Sequence, residues 1–311
     1  MKKIKLFTHT DLDGVGCAVL ASFAFPAPEY QLSITYVDYS NVNQTVLQYF
    51  EDCQTDVFLL ITDISVNTQV ADRIDEMSFD KKLLLDHHAT AVEPLSKYDW
   101  CIVEPTSPTL EKESGASLLF KHLVYENLIP QGHYSRFKAF VNMVTAWDTW
   151  TWKDTNCSIA PKLNDLLQLW GLAGFHDWCK YWIGCKHYPN LDEEGEVTCD
   201  VLSEVKAQYV EEKSDTVMIR TTKDGHDYGV VFADKYISEL GNKLCEEYPD
   251  LEFITIINMS SNEISFRSIH DRLNLGKDIA SKIGGGGHPQ SAGAPIPLEC
   301  SKQLVDSLLT F

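Results

Sequence analysis

The chain is short of positive charge. It carries 26 Lys and Arg against 45 Asp and Glu, a formal net charge of −19. Binding to an extended phosphate backbone runs on clustered basic side chains, so long duplex nucleic acid is not expected as a partner. Short anionic substrates stay open, because metal ions and one or two arginines can reverse the potential locally inside a cleft. Much of the acid surplus, such as Glu193-Glu194 and Glu211-Glu212, reads as solvated surface. No apolar run approaches the roughly 18–20 residues of a membrane-spanning helix. Met1-Lys2-Lys3-Ile4 leads into a strand pattern and not into a signal-peptide core. The expected location is cytoplasmic, with no membrane partner. Nine cysteines, an odd number, are scattered without a CxxC pair. That excludes a disulfide framework and a thiolate zinc site, and the thiols read as reduced, mostly buried small hydrophobes.

What is present is a repeated arrangement. Ile4–Phe7 runs into His9-Thr10-Asp11-Leu12-Asp13, Val57–Ile61 into Asp63, and Leu83–Leu85 into Asp86-His87-His88. Short apolar runs are strand-like, and in a parallel sheet the residues that follow them fall along one edge, where open α/β sheets bind ligands. Carboxylates Asp11, Asp13, Asp63 and Asp86 would then meet imidazoles His9, His87 and His88. Unneutralised carboxylates at such density raise one another's pKa, so the inventory points to divalent cations. A lone Asp after a strand is usually a helix cap or turn former, and it is the company of the others that makes Asp63 a ligand candidate.

A chain of 311 residues with 44% hydrophobic content can bury a large core and is expected to form two domains. Strands at Ile4–Phe7, Leu32–Val37, Val57–Ile61 and Leu83–Leu85 alternate with helices at Val15–Phe25, Val42–Cys53 and Asn67–Met77, which predicts an α/β fold with a doubly wound parallel sheet. Helices follow at Glu113–Leu123 and Tyr134–Trp147. Phe137, Phe140, Val141 and Val144 make an apolar stripe on the second, and Asp148 sits just beyond it as a further carboxylate. The aromatic-rich segment after residue 150, with Trp170, Phe175, Trp178, Tyr181 and Trp182, reads as helical and as core in preference to a cap over substrate. The expected domains are 1–190, a linker at 191–214 with a solvated helix, and a smaller α/β domain at 215–311. In the last, strands are expected at Gly229–Ala233, Glu252–Asn258 and Glu263–Arg267, helices at Ile237–Tyr248 and near Gly276–Ile283, and a tight hairpin at Ser260-Ser261-Asn262.

Taken in order, His9-Thr10-Asp11-Leu12-Asp13-Gly14, Asp63, Asp86-His87-His88, Asp148 and the C-terminal run Gly284-Gly285-Gly286-Gly287-His288-Pro289-Gln290-Ser291-Ala292-Gly293 resemble the DHH phosphoesterase family, the last element resembling its DHHA1 subdomain. The likeness covers nearly the whole chain except about 150–215, and is greatest to the small two-domain oligoribonucleases. Carried over position by position, it implies that His9 and Asp11 hold one manganese ion, that Asp13, His87 and Asp148 hold another, and that Asp63 bridges them. Mg2+ or Co2+ would be substitutes. A bridging carboxylate sets two ions about 3.5–4 Å apart, where they can share one hydroxide nucleophile. His88 and Asp86 are the implied catalytic pair, His88 facing substrate and Asp86 either touching the cluster or accepting from a histidine N–H. In the second domain Arg267, within Ser265-Phe266-Arg267-Ser268, and His288 are implied to contact substrate phosphates. The backbone of Gly285, Gly286 and Gly287 is expected to approach an anion with its amides open.

The resemblance implies a phosphodiesterase that degrades short single-stranded RNA or dinucleotides to mononucleotides, with a homodimer allowed. A cyclic dinucleotide phosphodiesterase or a 3′-phosphoadenosine 5′-phosphate phosphatase would use the same residues. A polyphosphatase would need a second domain richer in Lys and Arg, and a non-catalytic nucleotide-sensing module would be expected to have lost ligands, none of which is missing.

Overall fold

A strand that is apolar at every position needs cover on both faces, and the N-terminal strands have it. In a computed structural model that describes residues 1–51, 56–79 and 81–309, the chain divides into two compact units, Met1–Asp200 and Val201–Phe311. The first is built on β1 (Lys2–Thr8), β2 (Tyr30–Tyr36), β3 (Phe58–Thr62), β4 (Lys81–Asp86) and β5 (Cys101–Val103), all parallel, in the order β2-β1-β3-β4-β5. The doubly wound parallel sheet expected from the sequence is present. Leu6, Leu60, Leu83 and Leu85 enter one buried cluster, and their neighbours Phe7, Leu59, Ile61 and Leu84 enter another on the opposite face.

Helices cover both faces. α1 (Leu12–Ala24), α5 (Gly115–Tyr125), α6 (Tyr134–Asp148) and α7 (Ile159–Gly184) supply the first cluster, and α2 (Val42–Glu51), α3 (Thr68–Glu76) and α4 (Ala89–Leu95) the second. α1 begins at Leu12 and not at Val15, because the Asp11 side chain accepts from the Gly14 amide at 3.0 Å and caps the helix. Asp52 and Cys53, the end of the expected second helix, lie outside the described residues. The short α4 and β5 have no counterpart in the sequence reading: three residues carry no period, and Pro94 inside α4 reads as a breaker. The Trp-rich segment is core. α7 kinks at Gly171 (φ 69°), and beyond it Phe175, Cys179 and Trp182 are fully enclosed. Trp178 stacks on Trp182 with ring centroids 4.9 Å apart, while Tyr181 points outward.

The chain passes between the units within α8 (Glu193–Ser214), so the stretch expected as a linker is largely one helix. The second unit has β6 (Met218–Thr221), β7 (Asp227–Phe232), β8 (Phe253–Asn258), β9 (Glu263–Arg267), β10 (Gly286–Gly287) and β11 (Ser291–Pro295), with α9 (Ile237–Glu247) and α10 (Leu298–Leu309). The order is β10-β11-β9-β8-β7-β6, with β7 and β8 parallel and the other pairs antiparallel. The expected hairpin joins β8 to β9, where the Asn258 side chain accepts from the Ser260 and Ser261 amides. The helix expected near Gly276–Ile283 is instead a π-helical turn, Leu275–Ile279, followed by a 3-10 turn, Ala280–Ile283. Among the described residues no helix is long and apolar enough to cross a membrane.

Trp182 ties α7 to this core, and its indole N–H also donates to the Asn190 carbonyl at 2.9 Å. Replacing Trp182 with Ala should lower unfolding free energy by about 3–5 kcal/mol, read as an earlier urea midpoint for the first unit. A loss below about 1 kcal/mol, well under the usual cost of emptying a buried aromatic site, would contradict a core role for this segment.

Candidate metal centre

The sheet order reverses between β1 and β3, the switch point at which open α/β sheets present a crevice at their carboxyl ends. His9, Asp11 and Asp13 follow β1, and Asp63 follows β3 beside them. A hydroxyl relay pins these strand ends: Thr62 Oγ1 donates to Thr8 Oγ1 at 2.9 Å, and Thr8 Oγ1 donates to the Gly14 carbonyl at 2.9 Å.

Asp63 is fully buried and sits in the left-handed region with φ +59°, a conformation that costs a non-glycine residue energy and is tolerated best by Asp and Asn. Its amide is held by the Leu85 carbonyl at 2.9 Å. The turn is closed from the other side by α5. A Cβ on Gly115 would lie 2.4 Å from Asp63 Cβ and 2.8 Å from its Cα, so only glycine lets the helix start here. The same helix start holds Asp13: the Gly115 amide donates to Oδ2 at 2.5 Å and the Ala116 amide to Oδ1 at 2.9 Å. This is a carboxylate fixed by a helix N-terminus. Ser114 caps that helix in a reciprocal pair with Ser117.

β4 brings the third segment. Asp86 is saturated: Oδ1 accepts from the His87 amide at 2.8 Å, the His88 amide at 3.3 Å and His88 Nδ1 at 2.7 Å, and Oδ2 accepts from Ser65. Of the two readings left open for Asp86, its bonds match that of an acceptor that orients histidine. His87 turns the other way, its Nε2 lying 3.2 Å from Asp63 Oδ1, 3.6 Å from Asp148 Oδ2 and 3.7 Å from Asp13 Oδ2. Asp148, the last residue of α6, thus arrives from outside the sheet. On the far side of Asp63, His9 Nδ1 lies 2.9 Å from Asp11 Oδ2 and 3.9 Å from Asp63 Oδ2.

Among the groups these positions form are His9–Asp11–Asp63 and Asp13–His87–Asp148, each with one ligand atom per residue lying within 4.8 Å of the others, and Asp63 lies also in one with Asp86, His87 and His88. Asp63 Oδ2 is buried without a hydrogen-bond partner, and a buried polar atom of this kind needs something to satisfy it. The charges make the same demand. Burial first, then the charges of Asp11, Asp13 and Asp148, push the Asp63 carboxyl well above the carboxylate range. Burial, Asp13 and Asp11 do the same to Asp148. Desolvation opposes ionisation of Asp11 and Asp86, but the facing imidazoles, His9 for the first and His88 for the second, hold both low. Burial works against charge on His9, yet Asp11 and Asp38 raise it. A cation would relieve every one of these strains, so the donor set fits a metal.

Two residues absent from the sequence reading belong here. Asp38 Oδ1 lies 3.7 Å from His9 Nε2, and Tyr39 Oη lies 2.7 Å from His88 Nε2. Both follow β2, so the strand-end logic applied to the other strands reaches them too. Desolvation of the Tyr39 hydroxyl, with the charges of Asp86, Asp63, Asp11 and Asp148, holds its proton firmly.

In the second unit, Arg267 ends β9 and donates to the Phe266 carbonyl at 2.9 Å and to Ser238 Oγ at 3.1 Å. Of the glycine amides expected to be open, that of Gly285 is committed to a carbonyl. The amides of Gly284, Gly285 and His288 go to the carbonyls of Ser281, Ala280 and Ser291, and Gly286 and Gly287 form β10, paired with β11. What demands glycine is backbone contact, since a Cβ on Gly285 would lie 2.1 Å from the Gly293 carbonyl oxygen.

No protein-family model matches the sequence. Aligned with the oligoribonuclease NrnB of Bacillus subtilis (strain 168), the chain is 32% identical over 306 residues, 96% of its own length and 74% of the relative's. The chain belongs to the DHH phosphoesterase family. It is accordingly an enzyme, a phosphoesterase of that family. The DHH fold is shared with RecJ of Thermus thermophilus in complex with Mn2+ (TM-score 0.62, 14% identity), of which the chain spans 52% while 99% of the chain is covered. It is shared also with the DHH domain of a protein assigned to a family of ribosomal proteins (TM-score 0.60, 14% identity, 100% of this chain and 87% of that one).

A group whose pKa is higher in the folded chain stabilises the fold below its unfolded value and loses that contribution as pH rises through the folded one. Asp63, Asp148 and His9 are all raised, whereas Asp11 and Asp86 are lowered and their contribution disappears only in acid, below about pH 4. The chelated DHH protein should therefore melt at lower temperature at about pH 8 than at about pH 5. Asp148→Asn should flatten that fall, and Mn2+ should raise the wild-type melting temperature at the higher pH but not the variant's to the same extent. An Asp148→Asn variant with the wild-type pH slope in EDTA would refute this electrostatic account.

Proposed function

We propose that this DHH enzyme is a manganese-dependent phosphodiesterase that hydrolyses short single-stranded oligoribonucleotides, down to dinucleotides, to mononucleotides. The observation that carries the reading is Asp63, whose Oδ1 faces His87 Nε2 at 3.2 Å and whose Oδ2 faces His9 Nδ1 at 3.9 Å. One carboxylate thereby faces a histidine of each ligand group. His9 and Asp11 would hold one cation and Asp13, His87 and Asp148 the other, with Asp63 between. Carboxylates and imidazoles without thiolate suit Mn2+, with Mg2+ or Co2+ as substitutes. When bound, the ions supply a hydroxide near neutral pH and neutralise charge on the phosphoryl oxygens. The residues of the chain do the rest. The α5 N-terminus orients Asp13, Asp86 and Ser65 fix the loop that carries both histidines, and His88 faces the phosphodiester. In the second unit, Arg267 and His288 would contact substrate phosphates, while Gly285, Gly286 and Gly287 shape the turn.

The substrate class is supported by the oligoribonuclease relative and by net charge, since a chain at −19 has little to hold a long polyanion but can bind a short one at a local cation site. Free cysteines among the described residues suit a reducing, cytoplasmic setting.

The test is parallel incubation of the full chain and Mn2+ with a diribonucleotide, a cyclic dinucleotide and 3′-phosphoadenosine 5′-phosphate. Mononucleotide release should be fastest from the diribonucleotide, and a clear preference for either of the others would reassign the substrate. Asp63→Asn should lower kcat/KM by at least about 100-fold, the size of several kcal/mol of withdrawn transition-state stabilisation, and should weaken Mn2+ binding by calorimetry. Retained tight binding would exclude the bridging role.

A further inference from the structure

His88 presents two ring nitrogens, and the structure accounts for both. Nδ1 lies 2.7 Å from Asp86 Oδ1 and Nε2 lies 2.7 Å from Tyr39 Oη. Asp86 also receives two backbone amides and Ser65, so it acts as acceptor and Nδ1 carries the hydrogen. In a neutral ring Nε2 is then an acceptor, and the phenol O–H of Tyr39 is its donor. Without the hydroxyl the imidazole loses the bond that fixes Nε2, while the Asp86 bond at Nδ1 and the ring contact with His87 at 4.4 Å remain.

Tyr39 is itself held. Its amide donates to Asp38 Oδ1 at 2.6 Å, the Asp38 amide donates to Asn41 Oδ1 at 2.9 Å, and the Val42 amide donates to the Asp38 carbonyl at 2.8 Å as α2 begins. The ring meets His88 edge-on with centroids 5.7 Å apart and lies tilted on His9 at 5.1 Å. Yet Tyr39 is 55% exposed. A large aromatic that open to solvent has little to gain from burial, and its placement is explained by the histidine it holds.

We propose that Tyr39 is a positioning residue of the hydrolytic centre, whose hydroxyl fixes the tautomer and ring orientation of His88 within it. The proposal rests on the reading of His88 as a residue of that centre. Tyr39→Phe is the informative change, because it keeps the ring contacts and removes only the donor. It should lower kcat by about 10–100-fold, the range for outer partners of site histidines, with KM for the diribonucleotide within about twofold and Mn2+ affinity by calorimetry unchanged. In a His88→Ala background the same change should alter kcat by less than about twofold, because the two residues act as one unit. Nitrogen-15 NMR of histidine-labelled protein in EDTA gives a readout free of substrate and metal: the His88 Nε2 signal should show an acceptor hydrogen bond in wild type that is lost in Tyr39→Phe. Near-wild-type kcat, losses that multiply in the double variant, or a His88 signal unmoved by the substitution would each overturn the proposal. If the wild-type enzyme leaves the diribonucleotide uncut while the NMR signature is present and Tyr39-dependent, the oligoribonuclease reading fails and the positioning role of Tyr39 stands.

Discussion

The first unit depends on an electrostatic debt at the switch point of its sheet. The buried ends of β1, β3 and β4 lie next to one another in the sheet, so the polar residues at and just after them emerge side by side. The result is Asp11, Asp13, His9 and His87 around the buried Asp63, joined by Asp148 from α6, with Asp63 and Asp148 both driven toward protonation by burial and by neighbouring carboxylates. Left as such, the arrangement would favour a looser sheet edge. It persists because the backbone around it is over-determined, which is the condition under which strained, charge-dense sites survive.

That over-determination can be followed atom by atom. The left-handed turn at Asp63 is closed by a glycine on a different helix, and the same helix start donates two amides to Asp13. Gly115 therefore sets two ligands at once: it removes the clash with Asp63 and presents the amide that orients Asp13. The Thr62–Thr8–Gly14 relay adds a third tie between the loops. Asp148 comes from α6, and the Asp38–Tyr39 turn follows β2, which is tied to the end of β1 by the Val37 amide on the Thr8 carbonyl at 2.9 Å; they complete the cluster from its flanks.

The strand-end residues were legible in the sequence because their signal is local: an apolar run followed at once by His and Asp. The parallel sheet followed from the same alternation. Asp148 was reachable through the apolar stripe of α6 together with the family pattern. Other features were not legible, for reasons that are physical. A three-residue strand such as β5 has no period to detect. Gly115 looks like any helix-flanking glycine until Asp63 is placed 2.4 Å from where its Cβ would be. Asp38 and Tyr39 follow a half-exposed strand, β2, whose mixed composition hides the motif that the buried strands display. The glycine run is ambiguous for the opposite reason: glycine is equally required where backbones touch and where an anion is cradled, and at Gly285 the amide's bond to the Ala280 carbonyl separates the two cases.

That last distinction also bears on where an anion is recognised in an acidic chain. With the Gly284, Gly285 and His288 amides committed to carbonyls, the cationic side chain of Arg267 is a feature of the second unit suited to a phosphate, and it is built into the sheet more than it is extended from it. Its guanidinium bonds the Phe266 carbonyl and Ser238, and its side chain packs where Gly241 of α9 leaves room, a Cβ there lying 2.6 Å from Arg267 Cγ. Burial lowers its pKa from the ordinary arginine value without discharging a guanidinium, so the strand keeps a fixed, partly desolvated positive charge. A charge that cannot swing and cannot titrate acts by its position, so what the second unit offers an anion here is one fixed point and not a basic surface. In a chain of net charge −19, an anion would be held by local charge of this kind and not by the field of the whole molecule.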